Sequence, residues 1–137
     1  MAWVYEQDSG DLFLNGKFIA TGYSGAGKTR SQGRNNSHMQ HVKGIGPCPR
    51  GVWDIRGPRT SARVGPIAFD LVPRSGTDTL GRSALMIHGD NKASNASKGC
   101  IIFGKAIRQA IARSKDRTLH VVRDTDDLPK GWEKSLK

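Results

Sequence analysis

Cys100 and His88 are the two residues of this chain whose types and spacing best suit them to do chemistry together. His88 and Gly89 end an apolar run over 84–88, and Gly99 and Cys100 open a second one over 100–103. The two side chains lie 12 positions apart, at opposite mouths of one polar loop, so neighbouring strands would bring them together. A thiol beside an imidazole is what covalent acyl transfer needs, because the ion pair lowers the cysteine pKa and supplies thiolate near neutral pH. Gly99 gives a substrate close access, and backbone N–H groups around Gly99 and Cys100 offer an oxyanion site. The same residue types have a plainer reading. A cysteine that starts an apolar strand is often a small buried hydrophobe, and a strand-end histidine is often an ordinary surface residue.

A second motif is set aside. Gly22 to Thr29, GYSGAGKT, fits the phosphate-loop pattern G-x-x-x-x-G-K-[ST], with Lys28 and Thr29 in the phosphate and magnesium positions. That pattern requires a helix after the loop. Residues 30–37 have no apolar face and contain Gly33, so no helix N-terminus is expected there. His38 and His41 have no Cys or carboxylate ligand nearby, and no metal site is expected. Cys48, between Pro47 and Pro49, reads as a packing residue, and His120 as a core or edge position of the last strand.

The elements that must position the pair are mostly strands. Runs at 3–5 and 11–14 flank a turn near Gly10, and Asn15-Gly16 marks a tight hairpin into 17–20. Residues 24–44 form a long basic loop poor in apolar residues. Further strands are expected at 52–55, 67–72, 84–88, 100–103 and 119–122. One helix is expected over 105–114, where Ile107, Ala110 and Ile111 share a face. The sequence is 137 residues with no repeat or linker, which is room for one domain, 1–137, with a peripheral charged tail over 124–137. The fold class is mainly β.

No stretch approaches the length of a membrane span, and the first residues lack the basic and apolar regions of a secretory signal. The chain is therefore expected to be made in the cytoplasm without a standard leader, with no membrane insertion. Net charge is +10, split as −2 over 1–27, +7 over 28–66 and +5 over the remainder. This favours an anionic partner, either nucleic acid, a wall polymer or a substrate with several carboxylates. Two cysteines are too few for a disulfide framework.

The run Ile87-His88-Gly89 followed by Ser97-Lys98-Gly99-Cys100-Ile101 resembles the signature of the L,D-transpeptidases, bacterial enzymes with a catalytic cysteine that act on peptidoglycan stem peptides. It is most similar to their small toxin branch, effectors associated with type VI secretion. Trp3-Val4-Tyr5, Gly10-Asp11-Leu12, Tyr23-Ser24-Gly25, the run from Ile45 to Trp53, and Gly81-Arg82 agree with that branch. The resemblance covers about residues 3–122. It implies a single β-sandwich domain with one principal helix after the catalytic cysteine strand, Cys100 as nucleophile and His88 as base. It also implies release or exchange of the terminal D-Ala of tetrapeptide stems, a possible D-amino acid acceptor, a cognate immunity protein, secretion machinery, and action in the periplasm of a target cell. No metal or organic cofactor is required.

Two departures from the larger family stand out. Lys98 occupies the position of a second histidine, and its ordinary pKa is too high for an efficient base at neutral pH. Ile101-Ile102 stands where an arginine follows the cysteine, which leaves Arg82 either to bind a substrate carboxylate or to serve a structural ion pair. Ser97 orients the cysteine loop or His88, or shapes a turn. Asp90 or a backbone carbonyl orients His88. Asp90, Lys98, Tyr23 and Ser24 join Arg82 as the substrate-binding candidates. Two readings of other classes remain beside this one: a basic nucleic-acid module over 28–66, poor in stacking aromatics and in a recognition helix, and a non-catalytic wall-binding domain.

Overall fold

Asn15 and Gly16 both take left-handed backbone angles (φ 52° and 82°), the geometry that a two-residue hairpin turn demands. This turn joins β2 (Asp11–Leu14) to β3 (Lys17–Thr21), and β2 folds back antiparallel on β1 (Trp3–Glu6). In the computed structural model, which describes residues 2–136, these strands begin a single nine-stranded sheet. The remaining strands are β4 (Tyr23–Ser24), β5 (Gly51–Ser61), β6 (Gly65–Pro73), β7 (Met86–His88), β8 (Ile101–Ile102) and β9 (Thr118–Val122). Their order across the sheet is β3-β2-β1-β9-β5-β6-β7-β8-β4.

The chain is mainly β, as expected, and its layers are parts of one continuous sheet. The two edge strands, β3 and β4, are separated in sequence by Gly22 alone, so the sheet curls until its edges nearly meet. Inward residues alternate along the strands: Trp3 and Tyr5, Trp53 and Ile55, Phe69 and Leu71, Leu119 and Val121 are all buried in one core. The expected helix forms as α1 (Lys105–Arg113), and it buries Ile111 in that core while Ile107 packs against its edge. The buried indoles of Trp3 and Trp53 donate to the carbonyls of Asp116 and Pro49. No described helix is long and apolar enough to cross a membrane.

Three sequence expectations change in detail. β4 is too short and polar to have been legible, and it pairs antiparallel with β8. β5 runs six residues past the expected 55, as the exposed arm of a hairpin with β6 whose register shifts between Arg56 and Arg59 and again before Ser61. β7 begins at Met86 rather than 84, because Ala84 takes a left-handed angle (φ 57°) that breaks the strand. The tail adds α2 (Trp132–Ser135), with the Trp132 ring edge-on to Phe13 on the outside of the β2–β3 hairpin.

Gly22 is where closure is tightest. Its N–H donates to the Gly10 carbonyl at 2.8 Å. A Cβ at this position would stand 2.1 Å from the Ile102 carbonyl oxygen and 2.8 Å from the Phe103 ring. Gly22→Ala therefore has to push the two edges apart. Urea denaturation of this variant is expected to show a loss of about 1–3 kcal/mol, the range for overpacked sites; an unchanged midpoint would mean that the edges close without strain.

Candidate active site

β7 and β8 lie side by side and parallel, with Ile87 opposite Ile101 and His88 opposite Ile102. Extending this register puts Cys100 opposite Met86, so Cys100 and His88 fall on the same face, diagonally across the pair. Both line one cavity of about 690 Å³, together with the rim residues Lys43, Arg63, Ala84 and Lys98. The structure thus brings the two predicted residues into one site. No hydrogen bond joins Cys100 to His88 among the described residues.

His88 is buried, and its Nδ1 is 2.8 Å from the Gly89 carbonyl oxygen. A carbonyl only accepts, so Nδ1 carries the proton and the neutral ring keeps its lone pair on Nε2. Of the two orienting groups considered from the sequence, the backbone carbonyl takes this role. Asp90 instead accepts from the Tyr23 hydroxyl at 2.6 Å and from the Asn91 N–H. Burial pushes the His88 pKa down, the Gly89 carbonyl opposes that, and the charges of Arg108 and Arg63 push it further down.

Burial also pushes the Cys100 thiol up, against a backbone hydrogen bond from Met86 and the charges of Arg63 and Arg82. Its Sγ lies 4.0 Å from the Ala84 carbonyl oxygen. Directions this way round correct the expectation of a preformed ion pair. At neutral pH the resting state is a neutral thiol and a neutral imidazole, because each charged form would lose hydration in the cavity.

The loop from 89 to 100 makes a parallel crossover without a helix, so it depends on side chains to hold its shape. Ser97 Oγ donates to the Cys100 carbonyl at 2.5 Å and accepts from the N–H groups of Gly25 and Gly99. It therefore shapes the cysteine loop, one of the roles considered for it. It also occupies the Gly99 N–H, which corrects the expectation that this group faces an oxyanion. Ser24 Oγ donates to the Gly99 carbonyl and accepts from the Cys48 N–H. The Tyr23 hydroxyl accepts from the Ala96 N–H while donating to Asp90, and the Arg34 guanidinium lies 3.6 Å over the Tyr23 ring centre. Tyr23 and Ser24 thus anchor the loop, and neither is among the residues lining the cavity.

Arg82 is corrected as well. Its side chain is buried and donates to four carbonyls, those of Gln40, Gly46, Pro47 and Lys98. It has no carboxylate partner among the described residues, and both of its terminal nitrogens are committed to backbone carbonyls. Lys98 is exposed at the rim of the cavity.

Sequence reasoning missed three residues. Arg108, on α1, donates to the carbonyls of Phe103, Pro66 and Ile67, and its guanidinium packs against Gly89, where a Cβ would stand 2.6 Å from Nη2. Arg63 and Lys43 reach the cavity from the tip of the β5–β6 hairpin and from the 25–50 loop. Neither carries a local signal beyond the basic composition of 28–66.

The remaining motifs resolve simply. Lys28 and Thr29 are exposed, their N–H groups go to the Gln32 side chain, and only a three-residue 3-10 turn follows (Arg30–Gln32). No phosphate cradle forms. Cys48 is fully buried in the core. His38 and His41 line a separate cavity of about 290 Å³ with Arg50 and Arg123, and His120 is half-buried in β9.

Among known proteins, the chain belongs to the Tlde1 domain family, whose model matches residues 19–125 and so spans both His88 and Cys100. Membership is consistent with a toxin effector of a type VI secretion system. No curated protein matches the chain.

The neutral resting pair has a chemical signature. Alkylation of Cys100 by iodoacetamide, followed by mass spectrometry across pH, is expected to accelerate through a midpoint above that of a free thiol. Buried Cys48, whose thiol is pushed up by the same loss of hydration, should stay unmodified in the native protein. A reactive plateau below pH 7 at Cys100 would instead reveal a thiolate–imidazolium pair.

Proposed function

We propose that this Tlde1-domain chain is an antibacterial effector that acts as a cysteine L,D-carboxypeptidase and L,D-transpeptidase on peptidoglycan tetrapeptide stems. The observation that carries the reading is the convergence of Cys100 and His88 on one cavity, with His88 Nδ1–H tied to the Gly89 carbonyl and Nε2 left as the base. Cationic residues at the mouth suit a substrate with several carboxylates. The family supports the effector role, and with it a cognate immunity protein and the machinery of type VI secretion.

The reaction balances with the groups present. Cys100 Sγ attacks the carbonyl between the third stem residue and D-Ala, and its proton passes to His88 Nε2. The tetrahedral adduct collapses, the C–N bond breaks, and His88 returns the proton to the departing amine of D-Ala. The acyl group is now a thioester on Cys100. Water or the amine of a free D-amino acid attacks the thioester, loses a proton to His88, and releases the thiol, which recovers that proton. The first outcome is hydrolysis to a tripeptide and the second is exchange. Both deplete the donor stems that cross-linking needs.

A neutral pair suits this sequence, because the proton moves with the attack and no isolated charge waits in the cavity. Incubation of purified disaccharide tetrapeptides with the protein, with and without excess D-Met, should yield tripeptide or a D-Met-tailed product by mass spectrometry. Cys100→Ala should reduce that yield by about three orders of magnitude or more, and unchanged turnover in Cys100→Ala would end the proposal.

The pH profile provides an independent check. Since burial and the two arginines lower the His88 pKa, the base stays deprotonated to lower pH than a free imidazole. The acid limb of kcat/KM should therefore have its midpoint below the ordinary 6.5 of histidine, with a plateau at neutral pH. A midpoint above 6.5 would place the essential base elsewhere.

A further inference from the structure

Arg63 stands at the tip of the β5–β6 hairpin, on the rim of the cavity that holds Cys100 and His88. The hairpin delivers it there by construction. Ser61 Oγ accepts the N–H groups of Arg63 and Val64 at 3.2 and 3.3 Å, which fixes the backbone of the tip. Its neighbour on the same arm, Arg59, is spent on a two-pronged pair with Asp70 at 2.7 and 3.0 Å. The Arg63 guanidinium has no acidic partner among the described residues. It is an exposed cation on the rim of the cavity, and no described residue accepts a hydrogen bond from its side chain.

The other cations of the cavity are less well placed or already committed. Arg82 gives its donors to four carbonyls, and Arg108 is engaged with Phe103, Pro66 and Ile67. Lys43 and Lys98 line the rim as well, each as a flexible point charge. Arg63 lines the same cavity as Cys100 and His88, and its charge acts on both. A planar guanidinium presents a fork that matches a carboxylate, which a lysine does not.

We infer that Arg63 is the specificity-determining residue that recognises the free α-carboxylate of the terminal D-amino acid, so that the site accepts only the end of a stem peptide. This rests on the peptidase reading above. In that substrate the terminal carboxylate lies only a few bonds from the carbonyl under attack, so the cation it needs must stand near both thiol and imidazole. The same contact would hold a free D-amino acid with its amine toward the thioester during exchange. Recognition of the chain end thereby comes from the hairpin, in a sequence that has Ile101-Ile102 immediately after the cysteine.

The test compares two substrates, a disaccharide tetrapeptide ending in D-Ala and the same compound ending in D-Ala amide. The wild type should prefer the free acid by about ten- to a hundredfold in kcat/KM, the range for a charge-assisted hydrogen-bonded contact. Arg63→Gln should lose that preference, chiefly through a higher KM for the acid, so that kcat/KM for the acid falls about ten- to a hundredfold further than kcat/KM for the amide. Arg63→Lys should fall between them, and the thermal midpoint of both variants should match the wild type because the side chain is exposed. Equal losses on both substrates, or a preference that survives in Arg63→Gln, would overturn the assignment while leaving the peptidase reading intact. A wild-type protein that turns over neither substrate would end the peptidase reading, and this assignment with it.

Discussion

The buried guanidinium of Arg82 is the contact on which the geometry of the site depends. One side chain donates to the carbonyls of Gln40, Gly46 and Pro47 in the long loop and to Lys98 in the cysteine loop. A buried cation without a carboxylate is costly, and burial accordingly lowers its pKa. The cost is offset by four hydrogen bonds to neutral oxygens. Removing the guanidinium would leave four carbonyls without that donor and take away a direct tie between the two loops. Gly99 belongs to the same arrangement. Its backbone sits at φ 126°, and a Cβ would stand 2.1 Å from Arg82 Nη2. Only glycine lets the cysteine loop lie directly on the arginine, and this position sets where Cys100 starts.

A second layer of contacts fixes the rest of the crossover. Ser97, Ser24 and Tyr23 each use a hydroxyl as both donor and acceptor, and together they tie Gly25, Cys48, Asp90, Ala96, Gly99 and Cys100 into one network. On the opposite side Arg108 joins the end of β8 to the start of β6 across Gly89. The two strands that carry Cys100 and His88 are only two and three residues long. Such short parallel strands have little ladder of their own, and the polar network replaces what a longer sheet or a crossover helix would provide.

How much of this was legible in the sequence follows from the range of each signal. Alternating apolar residues, the Asn15-Gly16 turn and the 3.6-residue face of α1 are local, and those elements appear close to where the sequence puts them. The pair Cys100 and His88 was legible because both sit at strand ends flanking one loop. The roles of Arg82, Tyr23 and Ser24 were not, since each is decided by backbone groups brought in from far along the chain. An arginine looks like a carboxylate ligand in sequence, and nothing local reveals that four carbonyls will claim it. The pKa directions were inverted for a related reason: residue types suggest an ion pair, whereas burial of both groups decides against it. Arg63 was invisible because its proximity to the cavity depends on an exposed hairpin arm with no hydrophobic pattern to announce it.

The charge at the mouth and the neutral pair beneath it are coupled. Arg63 disfavours a protonated His88 and favours a thiolate at Cys100, so in the empty site it weakens the base while assisting the nucleophile. A carboxylate seated on Arg63 would screen that charge. The imidazole would then regain basicity at the moment a substrate is present, when it must take the proton from Sγ. A ligand lacking the carboxylate would leave the base weaker, so recognition of the chain end and activation of the thiol would draw on the same contact. This coupling needs no movement of the backbone. It asks only that an uncommitted guanidinium stand within electrostatic reach of both reacting groups, and the hairpin tip carries one on the rim of their cavity.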